Sequence, residues 1–347
     1  MLEDSMDLHW FKDDAFPLYL APMAGFTDTV FRQLCRQEGA DVVVSEFVLA
    51  DSLIYGNEAV WETVDFSEDQ RPMGIQIFGS SPEIMGDAAQ RLVARHRPDF
   101  IDLNFGCPSD KVTCRDAGSS LLRNPKKLEA VARGVVKALP DVPVTGKIRL
   151  GWDSDSIVAL EVSKRLEDAG IQAVAIHGRT KEQGYTGRAD WEPIFEVAEA
   201  LSVPVICNGD IGSAKDIMYI RENSKIQGAM IGRAALGYPW LFREIKHFLA
   251  TGTDAPRLTL DERWKTILSF AEMMSARPAR QKFEGTLRWM RPKLAKLTKD
   301  MTACKKARGG LAAVMTMDDL KQLAAEHTAR YAEADAAQNP QAALETL

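Results

Sequence analysis

Nowhere in the 347 residues do two cysteines stand as a Cys-x-x-Cys pair. The five present, Cys35, Cys107, Cys114, Cys207 and Cys304, are scattered, and the nearest two lie seven apart. That excludes the usual zinc-ligand spacing and a disulfide framework, so no structural metal is expected. No apolar run approaches the roughly 20 residues of a membrane helix. The opening stretch, MLEDSMDLHWFKDDAF, is acidic where a secretory leader is basic and then apolar. A cytoplasmic protein is the expectation. Excess positive charge is also lacking: the net charge is −6, which argues against a protein that coats nucleic acid while leaving room for a local basic patch.

What is present is an ordinary globular composition, 46% hydrophobic and 27% charged, long enough for a (β/α)8 barrel of roughly 250 residues and one small further domain. Valine- and isoleucine-rich runs recur at Leu18–Ala21, Val42–Phe47, Met73–Phe78, Phe100–Phe105, Val144–Leu150, Ala173–His177, Val205–Asn208 and Ala229–Ile231. Several are apolar throughout, as in strands buried on both faces. Helical patterns follow them: Ser81-Pro82 opens one through Ala94, Asn124-Pro125 opens one through Leu139, and Ser154 or Asp155 is expected to cap one that Gly170 stops. Alternation of this kind predicts a parallel sheet. The chain after the first strand reads APMAGFTD and carries no Gly-x-Gly-x-x-Gly turn, so a closed barrel is favoured over a dinucleotide-binding open sheet. The predicted organisation is an extension over 1–17, an α/β TIM barrel over 18–251, a helical domain over 258–332 and a disordered tail over 333–347.

In such barrels chemistry sits at the carboxyl ends of the strands. The residues there are Pro22-Met23-Ala24, Glu46, Gln76, Asn104, Gly106-Cys107-Pro108, Lys147, Arg149, His177-Gly178-Arg179, Asn208-Gly209-Asp210 and Gly232-Arg233. Taken singly, each has a bland explanation as packing or an ordinary turn. Their arrival at one end of successive strands does not. The last two groups follow strands seven and eight, where barrels commonly hold a phosphate.

The segments PMAGFTDTVFR, QIFG, DLNFGCPSDKV with AGSSLL, KIRLGW, AIHGRT, ICNGDI and MIGRAALGYPW together resemble the tRNA-dihydrouridine synthase family over roughly residues 18–245. That resemblance implies an oxidoreductase that reduces the C5–C6 double bond of uridine in tRNA, with FMN as cofactor and NADPH as its reductant. It implies that Pro22, Met23 and Ala24 pack against the flavin, and that Gln76, Lys147 and His177 meet its polar edge. Asn208, Gly209, Asp210, Gly232 and Arg233 would hold its phosphate. Cys107 would donate a proton to C5 beside substrate residues Asn104, Arg149 and Arg179. A cysteine of ordinary pKa, about 8.5, is mostly protonated at neutral pH and suits an acid better than a nucleophile. Cys114 shares the loop and is the competing thiol.

From Arg280 to Arg308 ten basic residues face Glu284 and Asp300, a local balance of +8. Phe283, Leu287, Met290, Leu294, Leu297 and Met301 recur at helical spacing, with Pro292 expected to kink or split the helix. A nearly uniform sign suits a polyanion, and Arg288, Arg291, Lys293, Lys296 and Lys299 are the expected tRNA contacts. Two other readings share these features: a flavin enzyme of a free pyrimidine, resembling dihydroorotate dehydrogenase, and a tRNA-binding folding helper in which catalysis is secondary. The basic helices speak against the first, and a retained flavin that tRNA reoxidises would exclude the second.

Overall fold

The structure is a computed structural model that describes residues 8–12, 15–56, 58–277 and 286–338. The apolar runs become parallel strands: β1 Leu18–Leu20, β2 Val42–Val44, β3 Val48–Leu49, β4 Met73–Phe78, β5 Phe100–Phe105, β6 Val144–Arg149, β7 Val174–His177, β8 Val205–Asn208 and β9 Gly228–Ile231. Each of β4 to β9 pairs with the next, β9 pairs with β1, β1 with β2 and β2 with β4, which closes an eight-stranded ring. The two-residue β3 extends one edge of β4. A closed parallel ring with helices between its strands is a TIM barrel, as expected.

The expected strand Val42–Phe47 is interrupted. The Ser45 hydroxyl takes the Gln76 N–H at 3.0 Å, and the ladder breaks over Ser45–Phe47 before β3 resumes it. Glu46 stands at the break and accepts the Gly25 N–H at 2.8 Å. The helices Pro82–His96 and Pro125–Ala138 begin as expected, capped by the Ser81 hydroxyl and the Asn124 carbonyl. The helix before Gly170 is shorter than expected, Ala159–Asp168, and neither Ser154 nor Asp155 caps it. Asp153 explains this: its carboxylate takes the Asp155 N–H and the Ser156 hydroxyl, while Gly151 bridges Ile157, so the segment is a closed turn.

Inside the ring, side chains alternate toward a common core. Tyr19, Ala21, Val42, Val44, Phe100, Ala175, Ile206 and Met230 form one apolar cluster. Leu8, Trp10 and Phe11, from the expected N-terminal extension, pack on it; Trp10 donates to the Tyr19 hydroxyl at 2.5 Å and its ring lies 5.4 Å from that of Phe100. The aromatic floor is possible because β4 carries Gly74: a Cβ there would lie 2.3 Å from two atoms of the Phe100 ring.

The chain divides into two compact units, Met1–Gly232 and Arg233–Leu347, a division earlier than the linker expected after residue 251. The second unit holds the helices Leu241–Thr251, Leu260–Ser275, Thr286–Leu297, Cys304–Leu311 and Met317–Gln338. Its helix Thr286–Leu297 runs unbroken through Pro292, rather than splitting there. Leu287, Met290, Leu294, Leu297 and Met301 are buried as the stripe predicts; Phe283 lies outside the described residues. The expected tail begins later than residue 333, because Asp335 is buried and accepts both the Leu260 N–H and the Thr302 hydroxyl. Residues 339–347 lie outside the described part.

Gly74→Ala should destabilise the barrel by about 1–3 kcal/mol, the usual cost of overpacking, and Gly74→Ala/Phe100→Leu should recover most of it. Urea denaturation of the three proteins checks this; an additive double variant would contradict the contact.

Candidate active site at the carboxyl ends of the strands

Above the apolar cluster the same interior positions turn polar. On β5, Asp102 and Asn104 follow Phe100 at the two-residue spacing that keeps them on one face. The buried Asp102 carboxylate accepts the Thr145 hydroxyl at 2.6 Å and the Gln76 amide at 2.6 Å. Gln76 in turn accepts from the Asn104 amide at 2.8 Å. The Asn104 carbonyl oxygen takes the N–H groups of Gly106 at 3.1 Å and Cys107 at 2.8 Å.

The Cys107 loop is held from its other sides too. Arg149 Nε donates to the Gly106 carbonyl at 2.9 Å, and Ser119 gives its hydroxyl and its N–H to the Cys107 carbonyl at 2.8 and 3.2 Å. Gly118, at φ 60°, is needed beside it, since a Cβ there would meet Val112 at 2.6 Å and the Cys107 carbonyl at 3.0 Å. Burial pushes the Cys107 thiol up from its ordinary pKa, against the pull of Arg149 and Lys147. Cys114, the competing thiol, is exposed at the end of the short helix Asp110–Thr113, its Sγ 3.6 Å from the Lys111 carbonyl.

Lys147 and Asn208 join across the mouth: Lys147 Nζ donates to the Asn208 Oδ1 at 2.9 Å, and Asn208 gives its amide to the Met230 carbonyl at 2.7 Å. Two of the three ammonium protons of Lys147 have no protein acceptor among the described residues. Burial, and then the charge of Arg149, lower its pKa to about 8, although Asp102 and Cys107 pull the other way.

The two arginines expected near substrate are turned inward. Arg149 also donates to the carbonyls of Thr180 and Gly184, and Arg179 clasps both oxygens of Asp210 and the carbonyls of Thr186 and Gly187. Both are buried; Arg149 braces the loops after β5 and β7, and Arg179 those after β7 and β8. The Asp210 carboxylate is therefore engaged by Arg179 and the Ala189 N–H at 2.8 Å. Its residue stands at φ 52° after Gly209 at φ 114°, where a Cβ would strike the His177 ring at 2.8 Å. His177 ends β7 beside them. Gly232 differs: a Cβ there would meet only Ala21 and Met23, each at 3.6 Å, so packing does not demand the bare backbone. Pro22 and Met23 are half-buried and Ala24 exposed in the turn after β1, and Arg233 is exposed at the start of the second unit.

The sequence reading missed Asp102, Thr145, Ser45 and Ser119. The Asp-x-Asn spacing in β5 was the available signal: two polar residues on one face of a strand otherwise buried on both. Among the described residues, no group of histidine, cysteine and acidic side chains is placed to hold a metal, and no helix is long and apolar enough to cross a membrane.

A barrel whose interior changes from apolar floor to hydrogen-bonded polar mouth, with a thiol and a half-buried ammonium there, belongs to the class of barrels that work at their carboxyl face. The comparisons narrow the class. The family model for dihydrouridine synthase (Dus) matches residues 19–333, so the chain belongs to the dihydrouridine synthase family. Two relatives are the tRNA-dihydrouridine synthase B proteins of Pseudomonas syringae pv. tomato, 42% identical over 272 residues, and Pseudomonas aeruginosa, 43% identical over 272 residues. These matches span 76% of this chain and 80% and 81% of the relatives. The solved structure of histamine dehydrogenase from Rhizobium sp. 4-9 shares the fold at a TM-score of 0.50 and 14% identity, over 74% of this chain and 48% of that one.

The lowered pKa of Lys147 has a definite sign. Folding disfavours its charged form, so the protein gains stability as pH rises from about 8 toward the ordinary lysine value. Lys147→Met should flatten that rise. Denaturation midpoints at pH 7.5 and 9.5 check it, and equal wild-type and variant differences would contradict it.

Proposed function

We propose that this protein is a tRNA-dihydrouridine synthase that reduces uridine in tRNA at C5–C6, with FMN as resident cofactor and NADPH as reductant. The observation that carries the reading is the polar mouth itself: a thiol on a loop whose backbone is held by five hydrogen bonds, beside a half-buried ammonium with protons to spare. The residues present fit a flavin phosphate and ring. Gly232 keeps a bare backbone that packing does not require, and Lys147 offers a cation to an anionic ring edge. The bound flavin would supply the hydride for C6.

The chain's own residues do the rest. Cys107, kept protonated by its burial, donates the proton at C5. Asn104 holds the Cys107 loop and retains one amide proton for the uracil edge. Pro22, Met23 and Ala24 would pack on the flavin, and Gln76, Lys147 and His177 would meet its polar edge. The backbone of Asn208, Gly209, Asp210 and Gly232, with Arg233 next in the chain, would take the phosphate. Arg149 and Arg179 act through the loops they brace, since their donors are spent on carbonyls and on Asp210.

For the tRNA backbone, the basic helices of the second unit remain the proposed surface. Arg288, Lys299, Lys305, Lys306 and Arg308 are exposed there, and Lys293 and Lys296 are half-exposed. Arg291 serves packing instead, donating to the Val314 carbonyl at 3.0 Å. Arg280 and Lys282 lie outside the described residues. A tRNA substrate fits a cytoplasmic protein.

Cys107→Ala should leave NADPH reduction of the flavin at its original rate and slow reoxidation by tRNA by about 10²–10⁴-fold, the usual worth of a general acid. Cys114→Ala should leave both steps nearly unchanged. Stopped-flow absorbance of the flavin reads both steps, and the reverse order of the two variants would overturn the assignment of the acid.

A further inference from the structure

Asp102 has no role assigned in the reaction, and it touches neither the thiol nor the loop that carries it. Its carboxylate is nevertheless the end of a chain of hydrogen bonds that leads there. A carboxylate can only accept, and a backbone N–H can only donate. Between these fixed ends stand two amides, Gln76 and Asn104, each of which could be turned either way. Because Asp102 accepts, Gln76 must turn its NH2 down to it at 2.6 Å and its oxygen up. Because Gln76 then offers oxygen, Asn104 must give it NH2 at 2.8 Å, which leaves the Asn104 oxygen facing the loop. That oxygen is what takes the N–H groups of Gly106 and Cys107. Turning Asn104 over would set donor against donor at the Cys107 loop, and turning Gln76 over would set donor against donor at Asn104 and acceptor against acceptor at Asp102. The Thr145 hydroxyl, at 2.6 Å, occupies the other carboxylate oxygen and leaves the chain one direction to run.

We propose that Asp102 is a positioning residue: its acceptor-only carboxylate sets the orientation of Gln76 and Asn104 and thereby seats the Cys107 loop. Asp102 does not exchange a proton with substrate. The functional meaning of a seated Cys107 rests on the reading given above, but the seating itself is a property of the protein alone.

The test is the rate at which iodoacetamide alkylates Cys107, followed by peptide mass in the full-length protein with Cys114→Ala as background. Asp102→Asn is isosteric and can both donate and accept, so it loses the direction. Alkylation should rise by about five- to tenfold, the factor that the net contribution of one hydrogen bond supplies. Adding Gln76→Glu to Asp102→Asn should bring the rate back toward wild type, since the new carboxylate at position 76 accepts from both neighbours and restores the direction. Thr145→Val removes a hydrogen bond without touching the direction, and should change the rate little. An unchanged rate in Asp102→Asn would overturn the proposal. So would a rise that Gln76→Glu does not reverse, or one that Thr145→Val equals, because each indicates general loosening. Should Asp102→Asn fail to fold, Gln76→Leu cuts the same chain one link later and must raise the rate; an unchanged rate there overturns the proposal as well. The readout needs no tRNA, so an enzyme that reduced no uridine yet passed this test would contradict the functional reading and leave the seating intact.

Discussion

A carboxylate buried in a barrel accepts hydrogen bonds and gives none, and the polar mouth of this protein is built on that constraint. Asp102 stands one layer above the aromatic floor of Trp10, Tyr19 and Phe100, where unpaired polar groups are costly. Its neighbours Thr145 and Gln76 satisfy it, and the direction this imposes passes through Asn104 to the backbone around Cys107. Burial pushes the Asp102 carboxyl up, while its two hydrogen bonds and the charge of Lys147 hold it down. A fully connected network of this kind rigidifies what it touches. Here that is the loop that carries Cys107.

The loops around the mouth share a second device. Arg149 spreads a planar fork of donors over backbone carbonyls of two loops, and Arg179 over two carbonyls of its own loop and the Asp210 carboxylate of the next, which lysine's point charge could not do. Arg179 also neutralises Asp210, so the turn after β8 presents backbone rather than a free negative charge. Lys147 is a cation that keeps protons to offer. A flavin or phosphate would thus meet the Lys147 ammonium and several N–H groups, with Arg149 and Arg179 behind them.

The barrel was legible because strands buried on both faces read as apolar runs, and β4, β5 and β8 begin and end where those runs do. Where side chains compete with the backbone, the reading failed. Ser45 interrupts a strand, Asp153 closes a turn where a helix was expected, and Asp335 binds a tail residue into the helical unit. The site was legible as a set of strand ends, since position along a strand needs no partner to be known. Partners were not legible. Arg149, Arg179 and Arg291 look like ligand residues in a sequence because acceptors they hold, the Gly106 carbonyl, the Asp210 carboxylate and the Val314 carbonyl, lie 43, 31 and 23 residues away. Asp102 looked like an ordinary strand residue for the same reason: its partners come from Gln76 and Thr145, on two other strands.

The central claim is that this mouth delivers reducing equivalents to uridine held within tRNA. Enzyme reduced in advance and mixed, without oxygen, with tRNA lacking dihydrouridine tests it most directly. Nucleoside mass analysis counts the dihydrouridine formed, and absorbance counts the flavin reoxidised. The account predicts one dihydrouridine for each flavin oxidised, and none from free uridine at the same concentration. Reoxidation without dihydrouridine, or equal reaction with the free nucleoside, would contradict it.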